Sequence, residues 1–413
     1  MRSFMALFLL SITSLIFAEP TETRTWTSSV GSSFEAKAIA LSGGKVALIG
    51  SNGKKLNVAL TKLSAEDQAF LKKHFRAKPK PPTDLPVPLG VMSQAIKADQ
   101  DSSYFVYLPK SLDSEVPAPV LLFQSPVGGG RGPIMRMRRA AEITGIALAS
   151  AIESKNASSR ATNLSHTEDC LGHIKKTLHL DTNRAIFSGS SGGGAMSFYC
   201  ADKLNSIGAI PYIGYLPQGS SINKKAYYHI GGGAADFNRY PSAHAAVLAG
   251  KKGLHRIWKG GHNGAGEQHS FEGVIWVYTR HIYEKPDKHS REIELFEGRF
   301  LTWLQEIRAT EPHTAYYWCH HLLDACKITG GIEEDILAMK KELSSQEVCT
   351  TYLECFNAIQ DFSKKQYAPL GENGTKRQHS SPALERAAQK LHEQYPNVPE
   401  LSGFLLQLAH KTG

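Results

Sequence analysis

Residues 184–196 read Arg184-Ala185-Ile186-Phe187-Ser188-Gly189-Ser190-Ser191-Gly192-Gly193-Gly194-Ala195-Met196. An apolar, strand-forming run passes without a break into Gly-x-Ser-x-Gly and then into a helix-forming stretch through Phe198 and Cys200. A serine at such a strand-turn-helix junction sits on a turn so tight that side chains on either side would collide, which is the physical reason for its flanking glycines. Ser191 is therefore the candidate nucleophile. Ser190 lacks a glycine two residues before it and ranks behind.

A serine hydroxyl attacks only when a base removes its proton, and the base must be oriented by a carboxylate. Both residue types follow Ser191 at the ends of apolar runs. The run Ala226-Tyr227-Tyr228-His229-Ile230 leads into Gly231-Gly232-Gly233-Ala234-Ala235-Asp236, which makes Asp236 the candidate acid. The run Leu254-His255-Arg256-Ile257-Trp258 leads into Lys259-Gly260-Gly261-His262, which makes His262 the candidate base. His229 and His269 are rivals, but neither follows a strand end and a Gly-Gly turn. The charge that develops on the substrate oxygen calls for prepositioned amides. Gln124-Ser125-Pro126-Val127-Gly128-Gly129-Gly130 follows the run 119–123, so amides of Gly128 and Gly129, with that of Gly192, are the expected oxyanion hole. A phosphate loop is the competing reading of these glycines, but no Gly-Lys-Ser/Thr ending follows them.

Around these loops, strand signals at 104–108, 119–123, 146–151, 184–188, 208–215, 226–230 and 254–258 alternate with helical signals at 133–143, 166–178 and 267–283. Such alternation predicts a mostly parallel sheet covered on both faces. With these residues on view, the stretch 103–285 resembles the alpha/beta-hydrolase superfamily, within it the secreted esterases similar to polyhydroxyalkanoate depolymerases and feruloyl or acetyl-xylan esterases. The resemblance implies an α/β fold with a sheet of about eight strands and flanking helices, and a Ser-His-Asp mechanism that needs no metal and no organic cofactor. The sequence departs from the pattern twice. The oxyanion loop has Ser125-Pro126-Val127 where relatives of this type carry a histidine before the glycines, and Leu216 to Ile222 is too short for a helical lid. An open site of this kind suits a polymer or an exposed ester.

Five prolines between Lys78 and Pro88 predict a stiff linker, taken as 77–102. Ahead of it, residues 22–76 alternate apolar and polar positions in four short runs, separated by Ser42-Gly43-Gly44 and Ser51-Asn52-Gly53, before a helix capped by Ser64. The Arg24-Thr25-Trp26 start, the Phe34-Glu35-Ala36 strand and the Leu60-Thr61-Lys62-Leu63-Ser64-Ala65-Glu66-Asp67-Gln68 end resemble the SLA homology domain of the first type. The resemblance implies a small Src-homology-3-like β-barrel module, with a peptide or cell-surface partner as the interaction to expect. Residues 1–18, with Arg2, a short apolar run and Ala18, predict a signal peptide cut after Ala18 and a bacterial-style periplasmic or secreted protein.

Residues 286–413 show helical periodicity (Ile293, Phe296, Phe300, Leu304, Ile307) and an N-cap at Ser381-Pro382, which predicts an all-α region without visible chemistry. The chain has 6 cysteines. The spacings 319/326 and 349/355 would allow Cys319 to pair with Cys355 and Cys326 with Cys349 across a helical hairpin, with free core thiols as the alternative. No Cys-x-x-Cys is present, which disfavours a metal site. Over 413 residues the formal charge is +9, a mild excess without a focus, so no nucleic-acid partner is expected, nor any transmembrane anchor. The expectation is a secreted serine hydrolase that forms an acyl-enzyme with carboxylic esters, of polysaccharide or polyester among others. The alternatives are an inactive hydrolase-fold binding or scaffold protein and a serine peptidase on the same fold.

Overall fold

A computed structural model describes residues 20–42, 44–75, 79–372 and 381–409, so the expected signal peptide lies outside the described residues. The chain forms two compact units that divide between Lys78 and Pro79.

In the first unit β1 (Arg24–Thr27), β2 (Ser33–Ser42), β3 (Lys45–Gly50) and β4 (Lys55–Ala59) form an antiparallel sheet in chain order, followed by α1 (Ala65–His74). Inward-facing Trp26, Ala36, Ala38, Val46 and Leu48 alternate with outward positions and meet Leu60, Leu63 and Leu71 in one core. The buried carboxylate of Asp67 accepts from Arg24 Nη2 (2.8 Å) and from the Thr27 amide (2.7 Å), tying α1 to β1. Ser64 caps α1 by accepting from the Asp67 amide, as its position in the sequence requires.

The second unit is built on β5 (Ile96–Lys97), β6 (Ser103–Tyr107), β7 (Pro119–Gln124), β8 (Ala147–Ala151), β9 (Asp181–Ser190), β10 (Ser206–Tyr212), β11 (Tyr227–Gly233) and β12 (Gly253–Trp258). They lie in the order 5-6-8-7-9-10-11-12, parallel from β8 through β12 and antiparallel at β5 and β6. The mostly parallel α/β class expected from the sequence is thus the observed fold. Because both faces are covered, β7, β8 and β11 are buried along their full length rather than alternately. On one face pack α4 (Arg160–Leu178) and α5 (Gly192–Lys203), which meet Val120, Leu122 and Phe187. On the other pack α3 (Arg138–Thr144) and α7 (Glu267–Ile282), against Leu121, Phe123 and Ile186, with α6 (Arg239–Ala249) lending residues to both cores. Where one helix was expected at 133–143, the chain forms α2 (Arg131–Met135) and α3, with Met137 between them.

The remaining helices are α8 (Ser290–Ile307), α9 (Pro312–His320), α10 (Glu333–Leu343), α11 (Glu347–Phe362), α12 (Ala368–Gly371) and α13 (Pro382–Gln394). The region is helical as expected, but it shares one continuous core with α3, α7 and their face of the sheet rather than standing as a separate unit. The proline-rich stretch also differs from a free linker. From Pro79 on it belongs to the second unit, where the Lys80 amide donates to Asp113, the Gly90 amide to Leu108 O, and Val87 is buried. Proline cannot join the sheet interior, but it can lie along the outside of one.

All six cysteines are buried thiols, which replaces the expected disulfides with the free-thiol alternative. Cys326 lies past the end of α9 on a π-helical turn (His321–Cys326), 3.3 Å from His321 Nε2. Burial pushes the Cys319, Cys326 and Cys355 thiols up to about 12. Among the described residues no helix is long and apolar enough to cross a membrane.

Glu297 on α8 is a buried carboxyl that accepts from Tyr283 Oη at 3.0 Å, and burial raises it to about 7. Between its ordinary 4.5 and 7 the unfolded chain has lost this proton and the native chain has kept it. Native stability therefore falls as pH rises through this window, and the penalty is complete above it. Glu297→Gln should raise the melting temperature at pH 8 by roughly 2 °C or more and leave it nearly unchanged at pH 4, as measured by circular dichroism melts.

Candidate active site

β9 ends at Ser190, and the next residue turns the chain directly into α5. Ser191 stands at φ 55° and ψ −119°, a conformation that a side chain disfavours and glycine accepts easily. The flanking glycines are required by contact. A Cβ on Gly193 would lie 2.2 Å from Gln124 O, and one on Gly189 would lie 2.4 Å from Gly193 O. β9, α5 and the end of β7 therefore meet backbone to backbone beneath the serine.

The loops leaving β11 and β12 bring the other two residues to Ser191. His262 Nε2 lies 2.8 Å from Ser191 Oγ, and His262 Nδ1 lies 2.9 Å from Asp236 Oδ1. The Asp236 side chain is fully buried, and its Oδ1 also accepts from the Asn238 amide at 2.8 Å, while the His262 side chain stays 29% exposed and so reachable by a ligand. The Phe237 ring stacks on the imidazole at 4.0 Å between centroids. The rival histidines are elsewhere: His229 is buried within β11, 3.5 Å from Glu272 of α7, and His269 stacks on Trp258. Burial pushes Glu272 up, but Arg256 and the histidines outweigh it and hold the carboxyl well below its ordinary value.

The expected oxyanion donors need correction. The Gly129 amide donates to Ile152 O (3.1 Å) and the Gly128 amide to Ser125 O (3.4 Å), so neither is free to meet a substrate. These glycines serve close approach instead: a Cβ on Gly129 would lie 2.1 Å from Ala151 O, where the loop crosses the end of β8. Gly192 remains, at the first position of α5, where helix geometry leaves its amide without an acceptor in the helix. Beside it is a residue that the sequence did not single out. The position a Gly192 Cβ would take is 1.7 Å from Asn156 Oδ1, so the Asn156 carboxamide occupies the space over the start of α5. Asn156 is held there by its own amide, which donates to Pro126 O (2.9 Å), by a bridge between Val127 and Lys155, and by Asn163, which bonds both the amide and the carbonyl of Lys155. Its only sequence signal was a polar residue in a loop after an apolar run, which many loops share.

The helical region contributes to this site as well. Gln407 Oε1 accepts from the Gly260 amide (3.0 Å) in the loop of His262, and Tyr367 Oη bonds both Leu408 O and Ala234 O, the latter in the loop of Asp236. The fully buried Arg239 donates from Nη1 to Asp236 O (2.9 Å) and from Nη2 to Tyr240 Oη. Among the described residues no group of three or more His, Cys, Asp or Glu side chains is arranged to hold a metal ion.

Because Ser191 is strained by its Cβ, Ser191→Gly should be more stable than Ser191→Ala by about 1 kcal/mol in chemical denaturation, the reverse of the usual glycine penalty. Equal stability would mean that the turn carries no strain.

No curated protein matches the chain. Solved structures similar to it include an arylesterase (14% identity, 48% of this chain and 86% of that one, TM-score 0.38). They also include an esterase from Pyrobaculum calidifontis (10%, 46% and 86%, TM-score 0.35) and a thermophilic esterase from the planctomycete Thermogutta terrifontis (15%, 46% and 92%, TM-score 0.33). At the other end of the chain, residues 16–78 match the family model of the SLA1 homology domain 1, the family that the first unit was expected to resemble.

Proposed function

We propose that the protein is a serine hydrolase that cleaves carboxylic esters through an acyl-enzyme. One observation carries the reading: the hydrogen-bonded chain from Ser191 through His262 to Asp236, with its nucleophile on a strained turn. In this reading Ser191 Oγ attacks the ester carbonyl carbon as His262 Nε2 takes its proton. Asp236, buried and anionic, holds the imidazole by Nδ1–H and stabilises the imidazolium that forms. The tetrahedral intermediate collapses to the acyl-enzyme as His262 returns the proton to the departing alkoxide. Water, activated by the same imidazole, then releases the acid and restores Ser191.

The negative oxygen of the intermediate is met by the Gly192 amide and by Asn156. A carboxamide offers both a donor and an acceptor from one position, so Asn156 can present its NH2 where its oxygen now lies. Val127 at the rim is 86% exposed and the connection from β10 to β11 carries no helix, which leaves the site open to the ester groups of a polymer. The first unit supplies an interaction module for a peptide or a cell surface, and the enzyme works outside the cytoplasm.

A fluorophosphonate probe should label the folded wild-type protein and fail on Ser191→Ala, whose hydrolysis of p-nitrophenyl butyrate should fall to background with an unchanged melt. Absence of label on folded wild type would replace this reading with that of a hydrolase-fold binding protein. Asn156→Ala should lower kcat by about 10-fold to 1,000-fold with little change in KM, the signature of a group used in the transition state.

A further inference from the structure

Away from the triad, the second unit encloses a cavity of about 320 Å³ between the first turns of α7 and the helices α8, α9 and α11. None of Ser191, Asp236, His262 and Asn156 lines it. Its volume is at the small end of the range for ligand sites, enough for a molecule of amino-acid size. Five aromatic side chains form its walls: Phe271, Trp303, Tyr317, Trp318 and Tyr352. Phe271 and Trp303 stand 4.6 Å apart, and Trp318 meets both rings edge to face, so the rings form a bent wall instead of one flat stack.

The charges on this wall are unequal. Glu267, Glu272, Glu311 and Glu400 line the cavity against two guanidinium groups, Arg139 and Arg256. Arg256 is spent on Glu272 at 2.9 Å, and Glu400 accepts from Gln268. Glu267 and Glu311 are exposed at the mouth. The remaining cation, Arg139, sits over the aromatic faces, its guanidinium carbon 5.6 Å from the Trp303 ring and 5.9 Å from Phe271. These faces thus already attract a positive charge, as the negative face of an aromatic ring should.

We propose that this cavity is a binding site for a small organic cation, a guanidinium or ammonium compound of amino-acid size, including a basic side chain presented by a peptide. The cation lies against Trp303 and Phe271 and is balanced by Glu267 and Glu311, displacing Arg139 from the rings. Two lining residues, Trp303 and Thr314, have a buried polar atom without a hydrogen-bond partner among the described residues, so the pocket can also reward a ligand with polar groups next to its charge. The proposal does not depend on hydrolysis and can be tested on protein that cannot turn over.

Calorimetric titration of Ser191→Ala protein with N-acetyl-arginine amide and with its uncharged isostere N-acetyl-citrulline amide provides the test. The arginine compound should bind with a Kd of about 1 mM or tighter, and at least about tenfold more tightly than the citrulline compound. The Glu267→Gln/Glu311→Gln double variant, changed only at exposed positions, should weaken the arginine compound about tenfold, and Arg139→Ala should tighten it by removing the resident cation. Equal binding of the two compounds, no heat up to about 10 mM, or an affinity indifferent to the double variant with its melt intact would overturn the proposal.

Discussion

The geometry of the second unit rests on one close approach: three backbone segments meet beneath Ser191, where side chains would not fit. Gln124 O at the end of β7, Gly189 at the end of β9 and Gly193 at the start of α5 are in mutual contact. That contact forces the intervening residue to φ 55°, which lifts its hydroxyl out of the sheet at the carboxyl edge of the strands. Only one residue in the turn bears this strain, and it is the residue whose side chain reaches the imidazole. The cost is local, and a sheet buried on both faces holds it in place.

The rest of the unit places partners around that fixed point. The loops after β11 and β12 are rich in glycine and bend freely, so they need support from outside. The helical region supplies part of it through Gln407 and Tyr367, and the buried Arg239 at the start of α6 adds to it; each bonds a backbone group in or beside the Asp236 and His262 loops. The helical region is thereby part of the site's rigidity, and its shared core with α3 and α7 explains why it is not a separable unit. The same packing lines the aromatic cavity beside α7's first turns with residues of α8, α9 and α11.

The first unit follows a different logic. Among the described residues its buried core is eight side chains around Trp26, and the Asp67 carboxylate joins the helix to the first strand through Arg24 and Thr27. The match of residues 16–78 to the SLA1 homology domain 1 agrees with the motif at both ends of this unit.

Short-range chemistry was legible in the sequence. The strand-turn-helix at 184–196 and the caps at Ser64 and Ser381 follow from residue types and spacing over a few positions, and the mostly parallel α/β class from the alternation of strand and helix signals along the chain. What could not be read depends on which distant segments touch. Gly128 and Gly129 look the same in a sequence whether their amides face a substrate or a neighbouring carbonyl, and the structure gives them to Ser125 and Ile152. Asn156 is held in place by Pro126 O, by the pairing of Val127 with Lys155 and by Asn163, and Cys326 lies beyond the end of the helix that carries Cys319. Sequence by itself determined which turns the backbone makes, since those are set by local sterics and by the lack of a Cβ. Tertiary structure alone decided which hydrogen-bond donors were left unspent, because a donor's availability depends on every acceptor that packing brings within reach.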